Sequence, residues 1–134
     1  MTMAERSDPP RVLIIDDAAS TRLLLKSALP FHGLEITSEA SSAAEGLSIV
    51  KEEHPDVIIL DVSMPEESGI EALPKLKEES PDSKVIMYSA NDEETSREAA
   101  LTGGADAYID KMSAISDVVI AINEVLGRPN PEDE

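Results

Sequence analysis

Short apolar runs alternate with segments of helical period along most of the chain. Val12-Leu13-Ile14-Ile15 and Val57-Ile58-Ile59-Leu60 are unbroken aliphatic runs, the pattern of strands covered on both faces. Leu34 to Ser38 alternates weakly, and Lys84 to Tyr88 and Ala107 to Asp110 complete five predicted strands. Between them, Ser20 to Leu29 carries Leu24, Leu25 and Ala28 at helical spacing and stops at Pro30. Ser42-Ala43-Ala44-Glu45 has the spacing of a capping box and opens a second helix, with Ala43, Leu47 and Val50 on one face. Ile70, Leu73 and Leu76 mark a third helix that contains Pro74. An interior proline costs ~3 kcal/mol, so a late start or a kink is expected there. The acidic run Asn91-Asp92-Glu93-Glu94 favours a helix N-terminus by cap and dipole, and the fourth helix is expected over Asp92 to Leu101, ended by Gly103-Gly104. The last helix is the clearest, with Ile115, Val118, Val119, Ile122, Val125 and Leu126 in one stripe closed by Gly127.

Strands and helices in alternation imply crossover connections, hence a parallel sheet with helices on both faces, a doubly wound α/β domain. Residues 1–10 read as a flexible lead-in, 11–127 as the domain, and 128–134 as an acidic tail or the start of a linker. In such sheets functional groups gather beyond the carboxyl ends of the strands.

Composition narrows the function. The 134 residues carry 11 basic and 28 acidic side chains, a net charge of −17. That balance repels nucleic acid and anionic membranes, and suits a divalent cation or a basic partner. Without cysteine there are no disulfides and no thiolate metal sites. No stretch approaches the ~20 apolar residues of a membrane span, and the chain reads as cytoplasmic. Phe31, Tyr88 and Tyr108 are the only aromatics, so the core must be aliphatic. His32 and His54 fall in predicted connections and read as exposed loop residues.

The residues just beyond the apolar runs are Asp16-Asp17, Asp61, Ser89 and Lys111. Singly, each has an ordinary reading: a charge pair at a helix N-terminus, a turn aspartate, a capping serine, a surface lysine. Jointly they sit on one edge of the sheet, where three carboxylates repel unless a cation balances them. Magnesium, which prefers few carboxylates and retained waters, meets that need. A magnesium site, a nucleophile, a hydroxyl and an ammonium are the parts phosphoryl transfer requires.

From about Arg11 to Gly127 the chain resembles a two-component response regulator receiver domain, of the single-domain chemotaxis type in size. The resemblance rests on Ile14-Ile15-Asp16-Asp17, on Ile59-Leu60-Asp61-Val62-Ser63-Met64-Pro65 with Gly69, on Tyr88-Ser89-Ala90, and on Tyr108-Ile109-Asp110-Lys111. It implies a flavodoxin-like sheet of order 2-1-3-4-5 with five helices. It implies Asp61 as the phosphoacceptor, Asp17 as a direct and Asp16 as a largely water-mediated ligand of Mg2+, and the Ser63 carbonyl as a further ligand. Lys111 is implied to pair with Asp61 at rest and with the phosphoryl group afterwards. Ser89 is implied to donate its hydroxyl to that group, and Tyr108 to be the aromatic that moves with Ser89. Implied partners are a sensor histidine kinase or phosphotransfer protein and an output protein that reads the surface of helix four, strand five and helix five. Such a protein is no enzyme beyond its own phosphorylation and dephosphorylation, and is expected as a monomer or a weak dimer through that surface.

Two positions depart from the family pattern. Met112 follows Lys111 where proline is usual, so a trans bond is expected, because a cis bond before a non-proline residue costs ~2.5–4 kcal/mol. Ser68 precedes Gly69 where an acidic residue is common. Ser63 and Asn91 occupy the places where the family tunes dephosphorylation. A phosphohydrolase with its nucleophile after strand one would need an aspartate where Ala18 stands. A flavin carrier would need a phosphate-friendly first loop and stacking aromatics. The remaining alternative is a receiver-like interaction module that works without phosphorylation.

Overall fold

The computed structural model describes residues 8–90 and 94–130. Most of the predicted lead-in, Asn91 with the two residues after it, and the end of the tail lie outside the described residues. Five strands, β1 (Arg11–Ile15), β2 (Glu35–Ala40), β3 (Val57–Asp61), β4 (Lys84–Ser89) and β5 (Ala107–Asp110), form one sheet. Their order is β2-β1-β3-β4-β5 and every pairing is parallel. Five helices alternate with them: α1 (Ala19–Ala28), α2 (Ala43–Glu53), α3 (Gly69–Glu79), α4 (Glu94–Thr102) and α5 (Ile115–Leu126). The expected doubly wound architecture and strand order are therefore observed.

Strand side chains point alternately to the two faces, and the unbroken apolar runs feed two cores. Leu13, Ile15, Ile58, Leu60, Val85 and Met87 pack with α2, α3 and α4 residues such as Val50, Leu73, Leu76 and Ala100. Val12, Ile14, Val57, Ile59, Ile86 and Tyr88 pack on the opposite face with Leu25 of α1 and Val118, Val119 and Ile122 of α5. Each fully buried aliphatic side chain contributes roughly 1.5–3 kcal/mol, which makes the three central strands the rigid floor of the domain.

Several local expectations are corrected. α3 does not start late: it begins at Gly69 and runs through Pro74 to Glu79. Ser68 Oγ accepts the Glu71 amide at 3.1 Å while Glu71 Oε1 accepts the Ser68 amide at 3.2 Å, a capping box that fixes the start ahead of the proline. Pro74 faces solvent, so its ring meets no core side chain. In α2 only half of the expected box forms, since Glu45 Oε1 takes the Ser41 amide rather than that of Ser42. Leu24, expected on the core face of α1, is 49 % exposed, and Leu25 alone is buried. β2 extends to Ala40, and its register shifts between Val12 and Leu13, whose partners are Ile36 and Ser38. At the carboxyl end, Gly127 closes α5 with φ 72°, and the amide groups of Asn123 and Asn130 meet at 3.0 Å, which holds residues 128–130 against the helix. Among the described residues no helix is long and apolar enough to cross a membrane.

Candidate functional site

The carboxyl ends of β1 and β3 lie side by side, as the pairing of Ile15 with Leu60 requires. Asp16 therefore stands next to Asp61, and both are buried, while Asp17 is exposed at the rim. Carboxylate oxygens of all three lie within 4.8 Å of one another. The backbone fixes two of them: the Ala18 amide donates to Asp16 Oδ1 at 2.8 Å and the Ser63 amide to Asp61 Oδ1 at 3.2 Å. Ser63 itself is exposed two residues beyond Asp61.

Lys111 reaches this cluster from the end of β5. Its backbone amide donates to the Ser89 carbonyl at 2.8 Å, which carries the side chain over the sheet edge. The ammonium lies 2.8 Å from Asp16 Oδ2 and 3.5 Å from Asp61 Oδ1. The resting partner expected for Lys111 was Asp61; the nearer one is Asp16. Asp61 Oδ1 already takes the Ser63 amide, whereas Asp16 turns the oxygen opposite its backbone-bonded one toward the ammonium. Ser89 is buried at the end of β4, one position past the residue paired with Asp61. Tyr108 is 6 % exposed, packs in the α2–α4 core, and has the Arg97 guanidinium 4.7 Å from its ring centre.

Electrostatically the site is overloaded. Burial, reinforced by the neighbouring Asp16 charge, pushes the Asp61 carboxyl up to about 7, against the opposing pull of Lys111. Burial works against the Lys111 charge, but the bond to Asp16 and the charges of Asp61 and Asp16 outweigh it and raise its pKa above the ordinary lysine value. Three carboxylates with one ammonium offer an all-oxygen donor set with negative charge to spare, which fits a hard divalent cation.

The backbone under Asp61 leaves no freedom. A Cβ on Gly69 would stand 2.0 Å from the Asp61 carbonyl oxygen, so only glycine fits there. The described residues contain no cis peptide bond, so Lys111-Met112 is trans as expected. The Met112 amide donates to Asp110 Oδ1 at 2.8 Å, a bond that a proline at that position has no N–H to make. Two residues not anticipated as contributors stand behind this edge: Ser68, which caps α3, and Arg22, whose Nη1 donates to the Asp16 carbonyl at 2.7 Å. The spacing Ser68-Gly69-Ile70-Glu71 carried the first signal; nothing in the local sequence carried the second. His32 and His54 are exposed and away from the cluster.

The family model for the response regulator receiver domain matches residues 12–123. The chain is a response regulator receiver domain. This receiver is 36 % identical over 116 residues to the chemotaxis protein CheY of Bacillus subtilis, covering 87 % of this chain and 97 % of that one. It is 31 % identical over 125 residues to the response regulator MprA of Mycolicibacterium vanbaalenii, covering 93 % of this chain but 54 % of that longer protein. Among solved structures, CheY in the CheX-CheY-BeF3-Mg2+ complex from Borrelia burgdorferi superposes with a TM-score of 0.84 at 29 % identity, over 88 % of this chain and 90 % of that one. The receiver domain thus belongs to two-component signalling, and its acidic cluster lies at the carboxyl ends of the strands.

Proposed function

We propose that this receiver accepts a phosphoryl group on Asp61 from a phosphohistidine of a sensor kinase or phosphotransfer protein, with Mg2+ held by Asp16, Asp17, Asp61 and the Ser63 carbonyl. The observation that carries the reading is the convergence of three carboxylates and one ammonium on a nucleophile whose carboxyl is buried. The complex of a related CheY with BeF3 and Mg2+ supports it.

An Asp61 oxygen forms the P–O bond as the P–N bond of the donor breaks, the electron pair leaving with the imidazole. The bound cation supplies neutralisation of charge on the phosphoryl oxygens and lowers the repulsion among the carboxylates. Lys111, already beside Asp61 and Asp16, turns its ammonium to the phosphoryl group. Ser89 is one position from the β4 residue paired with Asp61 and donates its hydroxyl. The new group brings about −1.5 to −2 charges and three acceptor oxygens to this edge. Drawing Ser89 and Lys111 toward it biases the ends of β4 and β5, and so Tyr108 and the α4–β5–α5 surface that an output protein reads. In this reading the domain catalyses only its own phosphorylation and dephosphorylation, and works in the cytoplasm.

Incubation with Mg2+ and acetyl phosphate tests the reading, with phosphoryl incorporation followed by intact mass. Incorporation is expected in the wild type, to be abolished by Asp61→Asn and by chelation of the metal. No incorporation, or equal incorporation in Asp61→Asn, would overturn it.

A further inference from the structure

Arg22 lies on α1, six residues after Asp16, with 18 % of its side chain exposed. It ties two elements together: Nε donates to Glu39 Oε1 on β2 at 2.7 Å, and Nη1 to the backbone carbonyl of Asp16 at 2.7 Å. Asp16 is otherwise held through its N–H, which donates to the Ala40 carbonyl at 3.0 Å, through Oδ1 by the Ala18 amide, and through Oδ2 by Lys111. The carbonyl lies beyond the last residue of β1, where the sheet offers it no partner, and the guanidinium takes that place. Glu39 is also bridged to Lys26, and the bonds from Lys26 and Arg22 hold its carboxyl below the usual range. The guanidinium therefore arrives at Asp16 oriented by Glu39, which it shares with Lys26.

We propose that Arg22 is a positioning residue for the cation site: clamped by Glu39, it fixes the Asp16 backbone and thereby sets the Asp16 carboxylate in the three-carboxylate cluster. The inference rests on the phosphoacceptor reading and its Mg2+. A positioning role and a bystander charge predict opposite signs. A nearby cation that merely repels Mg2+ would, when removed, leave the metal bound more tightly. A group that orders a ligand through its backbone would, when removed, leave the metal bound more weakly, in the range of 10–100-fold known for residues that orient metal ligands.

Calorimetric titration of the folded protein with Mg2+ separates the two. Arg22→Ala is expected to weaken Mg2+ binding about 10-fold, at the lower end of that range because the contact is to backbone. Arg22→Lys keeps the charge but cannot hold Glu39 and the carbonyl in one planar fork, so an intermediate loss is expected. Glu39→Ala is expected to weaken binding too, and the double variant to bind no worse than Arg22→Ala, since Glu39 acts through Arg22. Wild-type or tighter affinity in Arg22→Ala would overturn the proposal even if its urea midpoint fell. Should Arg22→Ala not fold, Glu39→Ala decides: a weakened affinity supports the role and an unchanged one overturns it. Wild-type protein that takes up no Mg2+ would overturn the phosphoacceptor reading and this inference together, whereas a wild type that binds Mg2+ beside an unaffected Arg22→Ala would overturn only this inference.

Discussion

Aspartates occur at both ends of the sheet, and the two ends treat them differently. At the amino end, Asp56 Oδ2 accepts the Arg11 amide at 2.8 Å and has the Arg11 guanidinium at 3.7 Å. Asp106 Oδ2 accepts the Val85 amide at 2.8 Å and pairs with Lys77 at 3.1 Å. Each of these carboxylates takes an amide in the first two residues of a neighbouring strand and has its own cation. Nearby, buried Ser80 and Ser83 share a 2.7 Å hydroxyl contact and Ser83 donates to the Pro55 carbonyl. At the carboxyl end, Asp16 and Asp61 share Lys111, with an Asp17 oxygen within 4.8 Å of both carboxylates. One end holds matched charges and stabilises the sheet; the other keeps an excess of negative charge of the kind a hard divalent cation suits.

The largest way to break the contrast is at Gly69. Gly69→Leu drives a side chain into the Asp61 carbonyl, and a loss of about 3 kcal/mol or more in urea unfolding is expected, with loss of phosphoryl incorporation. Next comes the same substitution at both ends. In metal-free protein at pH 8, Asp61→Asn relieves a buried, repelled charge and should stabilise the fold by roughly 1–3 kcal/mol. Asp106→Asn removes a paired charge and should destabilise it by about 0.5–1 kcal/mol. Equal signs for the two would erase the distinction.

The pH dependence sharpens it further. Asp61 is raised from 3.8 to about 7, so the folded state binds its proton more tightly than the unfolded state does. Its contribution to stability is fully present below the unfolded value and is lost as pH rises toward about 7. The difference in stability between wild type and Asp61→Asn should therefore widen from pH 4 to pH 7 without metal, and saturating Mg2+ should narrow it by about 2.7 kcal/mol when its concentration is 100 times Kd. The smallest effect concerns the two left-handed non-glycine residues among the described residues, one at each end: Glu66 at φ 71° and His54 at φ 45°. Glu66→Gly relieves a left-handed backbone cost of roughly 1–2 kcal/mol and adds about 0.5–1 kcal/mol of unfolded-state entropy, so a net gain of about 0.5 kcal/mol is expected in thermal unfolding. His54→Gly should gain less, because it gives up the 3.3 Å contact to Ser80.

How far the chain could be read depended on whether a signal was local. The central strands were plain because buried parallel strands are continuously apolar, and α5 because its stripe is complete. β2 was read short because an edge strand with few buried positions has little alternation to show. Leu23, Leu24 and Leu25 stand in succession, and local spacing could not tell which of them the sheet would cover. The box that overrides Pro74 was written in Ser68 and Glu71 but was outweighed by the proline.

The order of apolar runs and the residue after each were enough to establish a parallel α/β sheet and to bring Asp16, Asp17, Asp61, Ser89 and Lys111 to one edge. This follows because strand alternation and crossover handedness are local rules carried by side-chain periodicity and backbone chirality. Only the tertiary structure decided that Lys111 lies nearer Asp16 than Asp61, that Gly69 backs directly onto Asp61, and that Arg22 and Glu39 brace Asp16. Those contacts join residues of different strands and helices, and their distances are set by sheet register and helix docking, which no single stretch of sequence contains.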